Sequence, residues 1–82
     1  MPYFVYLLEC RDGSYYCGYS ANLKKRIELH NSGKGSKYTS KKRPVRLVYS
    51  EQYSTKSDAM KREYAIKQLT RAQKIQLIQG NK

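Results

Sequence analysis

Residues 3–19, YFVYLLECRDGSYYCGY, decide how the chain begins to fold. Two runs of aromatic, β-branched and aliphatic residues flank Asp12-Gly13. Asp-Gly in that setting is the strongest short-range hairpin signal, because a type I′ turn needs positive φ at both central residues. The runs therefore predict strands over 3–10 and 15–19. Working outward, Ser20 or Asn22 can cap a helix reaching about Asn31, with Leu23 and Ile27 as its apolar pair and Gly33 and Gly35 to stop it. Residues 33–44 read as a basic loop closed by Pro44. Residues 45–53 read as a third strand with Val45, Leu47 and Tyr49 on one face. Capping boxes at Thr55–Asp58 and Thr70–Gln73 open helices to about Gln68 and to about Gln79, before Gly80. The expected fold is α+β, a small three-stranded antiparallel sheet flanked by helices in the order β-β-α-β-α-α.

Eighty-two residues predict a single domain over 1–82, which on folding removes ~60–65% of the unfolded chain's surface from water. No run of about 18 apolar residues is present, so a membrane-spanning helix is excluded. The N-terminus lacks the basic, apolar and small-residue segments of a secretory leader. Cys10 and Cys17 are too few for a disulfide framework and read as reduced thiols of a cytoplasmic protein.

Seventeen Lys and Arg against six acids leave a net charge of +11. Such an excess repels itself in a compact chain and points to a polyanionic partner. No acid occurs between Glu28 and Glu51, while that interval holds Lys34, Lys37, Lys41, Lys42, Arg43 and Arg46. Tyr38 lies among them and can stack on an unpaired base. This pattern predicts a nucleic-acid surface.

Phe4-Val5-Tyr6 and Tyr16-Cys17-Gly18, followed by an Arg-bearing helix, a basic loop and a Glu-bearing helix, resemble the GIY-YIG nuclease family. The resemblance spans about residues 2–79. The strings Tyr16-Cys17-Gly18-Tyr19-Ser20, Arg26 to His30-Asn31 and Arg43-Pro44-Val45 look most like its small stand-alone bacterial branch. It implies a metal-dependent endonuclease that hydrolyses phosphodiester bonds in DNA, uses Mg²⁺ or Mn²⁺, and selects structure rather than sequence, with a protein partner as a source of further specificity. It also implies roles: Tyr6 as general base, Tyr16 orienting water or phosphate, Arg26 clamping phosphoryl oxygens, His30 relaying a proton and Glu63 holding the metal. Tyr19 stands where the excision-repair branch carries a Lys, and Ile75 where several members carry an Asn, so those two roles are absent or taken over.

The residues themselves leave alternatives open. Arg26 and His30, four apart, share a helix face, and a guanidinium holds two phosphate oxygens better than an ammonium does. Arg26 is also one more cation in a Lys-Lys-Arg run, and His30 near a helix end can complement the helix dipole. Asp12 belongs to the turn, Asp58 to a cap and Glu28 to a basic helix face, while Glu9 and Glu51 lie near strand ends where they can be exposed. Glu63 stands out because Ala59, Met60 and Ile66 share its side, although an ion pair with Lys67 also accounts for it. A non-catalytic module binding DNA or structured RNA therefore stands beside the nuclease reading. The register adds a condition. A two-residue Asp12-Gly13 loop sets Tyr6 opposite Tyr19 and sends Tyr16 to the other face. A shared site requires a bulge, a three- or five-residue loop, or a tyrosine reaching around an edge.

Overall fold

The structure, a computed structural model, describes residues 2–80. Strands β1 (Tyr3–Glu9) and β2 (Tyr15–Ser20) form the hairpin. Its loop has three residues: Cys10 N–H donates to the Ser14 carbonyl at 2.8 Å, Gly13 N–H donates to the Cys10 carbonyl at 2.9 Å, and Gly13 takes φ +86°. Only glycine enters that left-handed region without steric cost. The Asp12 carboxylate braces the turn by accepting from Ser14 N–H at 3.0 Å and Ser14 Oγ–H at 2.6 Å. The odd residue shifts the register so that Tyr6 lies opposite Gly18 and Leu8 opposite Tyr16. Side chains alternate along a strand, so Tyr6 and Tyr16 share a face, as the three-residue option requires.

The sheet order is β2-β1-β3, which makes β1 central. Its run Val5-Tyr6-Leu7-Leu8 is at most 2% exposed. Both of its faces are covered, which is why it reads as a continuous apolar run instead of an alternating one. On one face Val5, Leu7, Cys17 and Tyr49 pack with Ala59 and Ile66 of α3 (Lys56–Lys67), flanked by Leu77 and Ile78 of α4 (Arg71–Gly80). On the other, Tyr6, Leu8, Cys10 and Val45 pack with Tyr16 and with Leu23 and Ile27 of α1 (Leu23–Asn31). Cys10 and Cys17 thus belong to different cores, and both are free buried thiols.

Two expectations are corrected in the middle of the chain. The stretch read as a loop contains one helical turn, α2 (Lys37–Ser40), capped by Ser36, whose hydroxyl accepts from Thr39 N–H at 3.1 Å. In β3 (Arg46–Tyr53) the single face assigned to Val45, Leu47 and Tyr49 does not exist. Leu7 pairs with Tyr49 but Leu8 with Leu47, so a bulge at Val48 reverses the alternation. Val45 joins the α1-side core, Tyr49 joins the α3-side core, and Leu47 is 39% exposed. Asn31, the last residue of α1, pins the start of β3, accepting from Val45 N–H at 2.7 Å and donating to the Val45 carbonyl at 3.1 Å.

The helix starts follow their caps. Asn22 accepts from Lys25 N–H, Thr55 accepts from Asp58 N–H, and Thr70 and Gln73 satisfy each other's backbone donors. The rotation of α3 is set by Glu51, which is partly buried rather than exposed at its strand end. Arg62 grips it with two bonds of 2.9 and 3.1 Å, and the Tyr49 and Tyr53 hydroxyls donate to it as well. Successive helical residues are ~100° apart, so with Arg62 turned to β3, Glu63 is carried round toward β2. Burial pushes the Glu51 carboxyl up, but donation from Arg62 and the two tyrosines outweighs it and holds Glu51 below its ordinary value. A depressed folded pKa contributes stability above the unfolded value and loses it as pH falls through the folded one. Glu51→Gln should therefore cost about 1–3 kcal/mol at neutral pH. In urea titrations its deficit relative to the wild type should shrink below about pH 4.3, the unfolded Glu value; a deficit independent of pH would contradict the charged network.

Candidate active site

β2 is an edge strand, and an open groove of about 560 Å³ runs along it. Tyr6, Tyr16 and Gly18 form its floor, Arg26 of α1 enters from one face of the sheet, and Lys56 and Glu63 of α3 enter from the other. Groups from both layers meet because both helices lean over the same uncovered edge. Tyr19, Ser20 and Asn22 continue the wall. Of the expected catalytic residues, Tyr6, Tyr16, Arg26 and Glu63 line the groove, and His30 lies behind it, wholly buried.

Tyr6 reaches the groove across Gly18. A Cβ at position 18 would sit 2.5 Å from Tyr6 Oη and 2.8 Å from its Cζ, so any larger residue displaces the phenol. Behind it, Tyr6 Oη lies 3.1 Å from His30 Nε2, and His30 Nδ1 lies 2.8 Å from Thr39 Oγ1. Tyr16 flanks the same imidazole at a centroid distance of 5.0 Å. Burial first, and Tyr16 next, raise the Tyr6 phenol above its ordinary value; Arg26 pulls it down without reversing that. His30 is held below its ordinary value by burial and then by Arg26. Both groups are therefore uncharged at neutral pH. Their contacts are satisfied when Tyr6 Oη–H donates to Nε2 and Nδ1–H donates to Thr39 Oγ1. Thr39 Oγ1–H in turn donates to the Ser36 carbonyl at 3.4 Å. His30 therefore does not act as a cation capping α1.

On α3, Ala59 and Ile66 are buried as expected, but Met60 is 45% exposed and does not share an apolar face with Glu63. What places Glu63 is the grip of Arg62 on Glu51 and the seating of the helix on β2, where Cys17 Sγ–H meets the Glu63 carbonyl at 3.8 Å. Burial, followed by the nearby Glu63 carboxylate, raises the Cys17 thiol to about 12, so it stays protonated. Lys67 Nζ stands 3.7 Å from Glu63 Oε2. Among the described residues no three His, Cys, Asp or Glu side chains cluster as a multidentate metal site. Glu63 is the carboxylate that lines the groove, a donor suited to a hard cation that keeps most of its waters.

The basic residues divide into two groups. Lys42 pairs with Asp12 at 3.2 Å and Arg46 with Glu9 at 2.6 Å, so part of their charge is answered within the chain. Lys42 Nζ also sits 4.0 Å over the Tyr38 ring, and Tyr38 lies 5.9 Å from Tyr16. One face of Tyr38 is thus already covered, which narrows the base-stacking role expected of it. Lys34, Lys37, Lys41 and Arg43 remain exposed.

The family model for the GIY-YIG catalytic domain matches residues 2–76. The chain belongs to the GIY-YIG family. Within that nuclease family it is similar to a UPF0213 protein of Staphylococcus epidermidis, 56% identical over 77 residues and 94% of each chain. It is also similar to a UPF0213 protein of Staphylococcus aureus, 55% identical over 76 residues and 93% of each. Solution structures of the same kind include a UPF0213 protein of Bacillus halodurans, 47% identical with TM-score 0.62, covering 96% of this chain and 84% of that one. An Enterococcus faecalis protein is 44% identical with TM-score 0.67, covering 98% and 85%.

Sequence reasoning missed three residues that shape this GIY-YIG site. Thr39, the partner of His30, sat in a stretch read as loop; its Ser36-x-x-Thr39 spacing was the available sign of a cap. Gly18 was quoted only as part of a tripeptide, although its lack of a side chain is what admits Tyr6. Lys56 was absorbed into a capping box, yet it puts a lysine into the groove from α3. A buried neutral imidazole also has a thermodynamic signature. The unfolded chain binds a proton near pH 6.5 while folded His30 resists it, so stability should fall as pH drops below about 6.5 and level off below the folded value. His30→Gln should flatten melting temperature against pH between 5 and 7; an unchanged slope would show that His30 titrates freely.

Proposed function

We propose that this protein is a metal-dependent endonuclease that hydrolyses phosphodiester bonds in DNA and selects its substrate by structure. The observation that carries this reading is the convergence of Tyr6, Tyr16, Arg26 and Glu63 on one groove, with a neutral imidazole hydrogen-bonded behind Tyr6. Glu63 would hold Mg²⁺ or Mn²⁺, which when bound supplies positive charge at the phosphoryl oxygens. Arg26 grips non-bridging oxygens with a fork that matches them, and its charge is realised most fully as negative charge develops. Tyr16 donates its hydroxyl to phosphate or water at the groove wall.

Tyr6 is proposed to act with His30 rather than alone. A phenol held above its ordinary pKa is a poor reservoir of phenolate at neutral pH. A phenol that hands its proton to a neutral imidazole as it takes one from water avoids that state. In this step the water proton goes to Tyr6 Oη, the Tyr6 proton goes to His30 Nε2, and the water oxygen forms its bond to phosphorus while the ester oxygen leaves with the P–O electron pair and takes its proton from solvent in the open groove. Thr39 accepts from Nδ1–H throughout and keeps Nε2 facing Tyr6. Structure selectivity follows from the kind of contact: groups that recognise phosphate carry no base information, and a groove along a strand edge suits the exposed backbone of a flap or branch.

The ion pair between Lys67 and Glu63 favours a second reading, a nucleic-acid-binding module without chemistry. Labelled single-stranded, duplex, flap and branched DNA incubated with Mg²⁺ or Mn²⁺ separates the two. The nuclease reading expects Tyr6→Phe and Arg26→Ala to lower the rate about 10²–10⁴-fold and Glu63→Gln to abolish metal stimulation. Equal cleavage by all variants would expose a contaminant, and tight salt-sensitive binding without cleavage would install the second reading. The pH profile tests the relay. With His30 as final acceptor the rate should be flat above about pH 6.5 and fall on the acid side. A log-linear rise toward pH 10 would assign the base to Tyr6 phenolate instead.

A further inference from the structure

At the hairpin-turn end of the molecule, away from the groove, Arg11, Ser40, Lys41 and Arg43 line a second cavity of about 500 Å³. No carboxylate lines it. Among the described residues the ion pairs engage Lys42, Arg46, Arg62 and Lys67, and none engages Arg11, Lys41 or Arg43. The one acid of the turn, Asp12, is withdrawn by Lys42 at 3.2 Å. That pair, with the bond of 2.9 Å from Arg11 N–H to the Lys42 carbonyl, ties the turn to the loop and holds the two halves of the cavity together. Arg43 is also oriented in advance: its Nε–H donates to the Ser40 carbonyl at 3.0 Å and one terminal nitrogen donates to the Asn31 carbonyl at 3.4 Å. Its remaining N–H groups are left for a ligand, so little side-chain freedom is lost on binding.

Three cations that no acid answers, arranged around one hydroxyl, fit a phosphate. The setting says which phosphate. Arg11 lies five residues beyond Tyr6, three of them in β1 and two entering the turn, so at ~3.4 Å per residue the two positions are at most ~17 Å apart. A span of that size is covered by a few nucleotides of a single strand, so phosphates of one strand can occupy both cavities. Between the two cavities lie Tyr16 and Tyr38, with Lys42 over the latter, a path that carries positive charge and no free carboxylate. We propose that the Arg11–Ser40–Lys41–Arg43 cavity is a second phosphate site, which clamps the same DNA strand a few nucleotides from the reacting phosphate. This rests on the reading of DNA as the substrate, and it adds a fixed span that a strand must have to be held at both ends.

The test is binding of a fluorescein-labelled 12-nucleotide single strand by the whole protein, without metal, followed by anisotropy across a salt series. Single-strand affinity scales with salt to about the −0.7 power per phosphate contact, so each lost contact should weaken binding roughly fivefold at 0.1 M salt and flatten the log–log slope by about 0.7. Arg11→Gln/Lys41→Gln should show that loss. Lys61→Glu, an equal change of net charge at an exposed position of α3, should leave affinity within about twofold, well inside one contact's worth. Arg11→Gln alone, at an exposed turn position, set against Lys61→Gln, gives the charge-matched comparison should the double variant melt early. Wild-type affinity and slope in the Arg11 variants, or equal weakening by Lys61→Glu, would overturn the site. Absence of cleavage by the wild type would sink the nuclease reading and leave this binding result standing.

Discussion

A single residue in the β1–β2 turn governs the chemistry that the fold can support. With Gly13 in the left-handed region the loop takes three residues, and every side chain of β2 changes face relative to a two-residue hairpin. Tyr16 and Gly18 then stand beside Leu8 and Tyr6 on the α1 side, while Cys17 drops into the core under α3. The alternative register would set Tyr6 against a tyrosine instead of against the one residue with no side chain. The phenol could then not cross to the edge. Parity in the sheet thus comes before any question of catalysis.

Once the register is set, two separate polar devices complete the groove. On the α1 side a buried chain runs from Tyr6 through His30 and Thr39 to Ser36, and no polar side-chain atom buried among the described residues lacks a partner. Such a chain is costly unless complete, so the α2 turn that brings Thr39 in is part of the site although it never touches the groove. On the α3 side the Glu51–Arg62 pair, reinforced by two tyrosine hydroxyls, settles which helix face looks toward β2. Arg26 and Glu63 therefore arrive from opposite layers under independent control.

Much of this was legible from residue types. Asp12-Gly13 marked the hairpin, Asn22, Thr55 and Thr70 marked the helix starts, and the acid-free interval marked the basic face. Legibility failed where a long-range partner decided the outcome. The bulge at Val48 answers to the pairing of β3 with β1, which no local pattern of Val45, Leu47 and Tyr49 reveals. Glu51 looked like a strand-end acid because Arg62 lies eleven residues away on another element. Glu63 was singled out partly through Met60, which faces solvent; what turns Glu63 to the groove lies in its neighbour Arg62. Charge was easy to count and hard to allocate, since Lys42 and Arg46 proved to be answered by Asp12 and Glu9.

The groove floor is an unpaired strand edge, because β2 has β1 as its only neighbour in the sheet. Open edges invite another chain to add a strand, and proteins blunt them with charge. Here Arg26 and Lys56 flank the edge, so two copies that approach edge to edge meet like charges before their backbones can pair. The charge that suits the groove to a polyanion is thus the same charge that opposes pairing of the edge with a second copy of the chain.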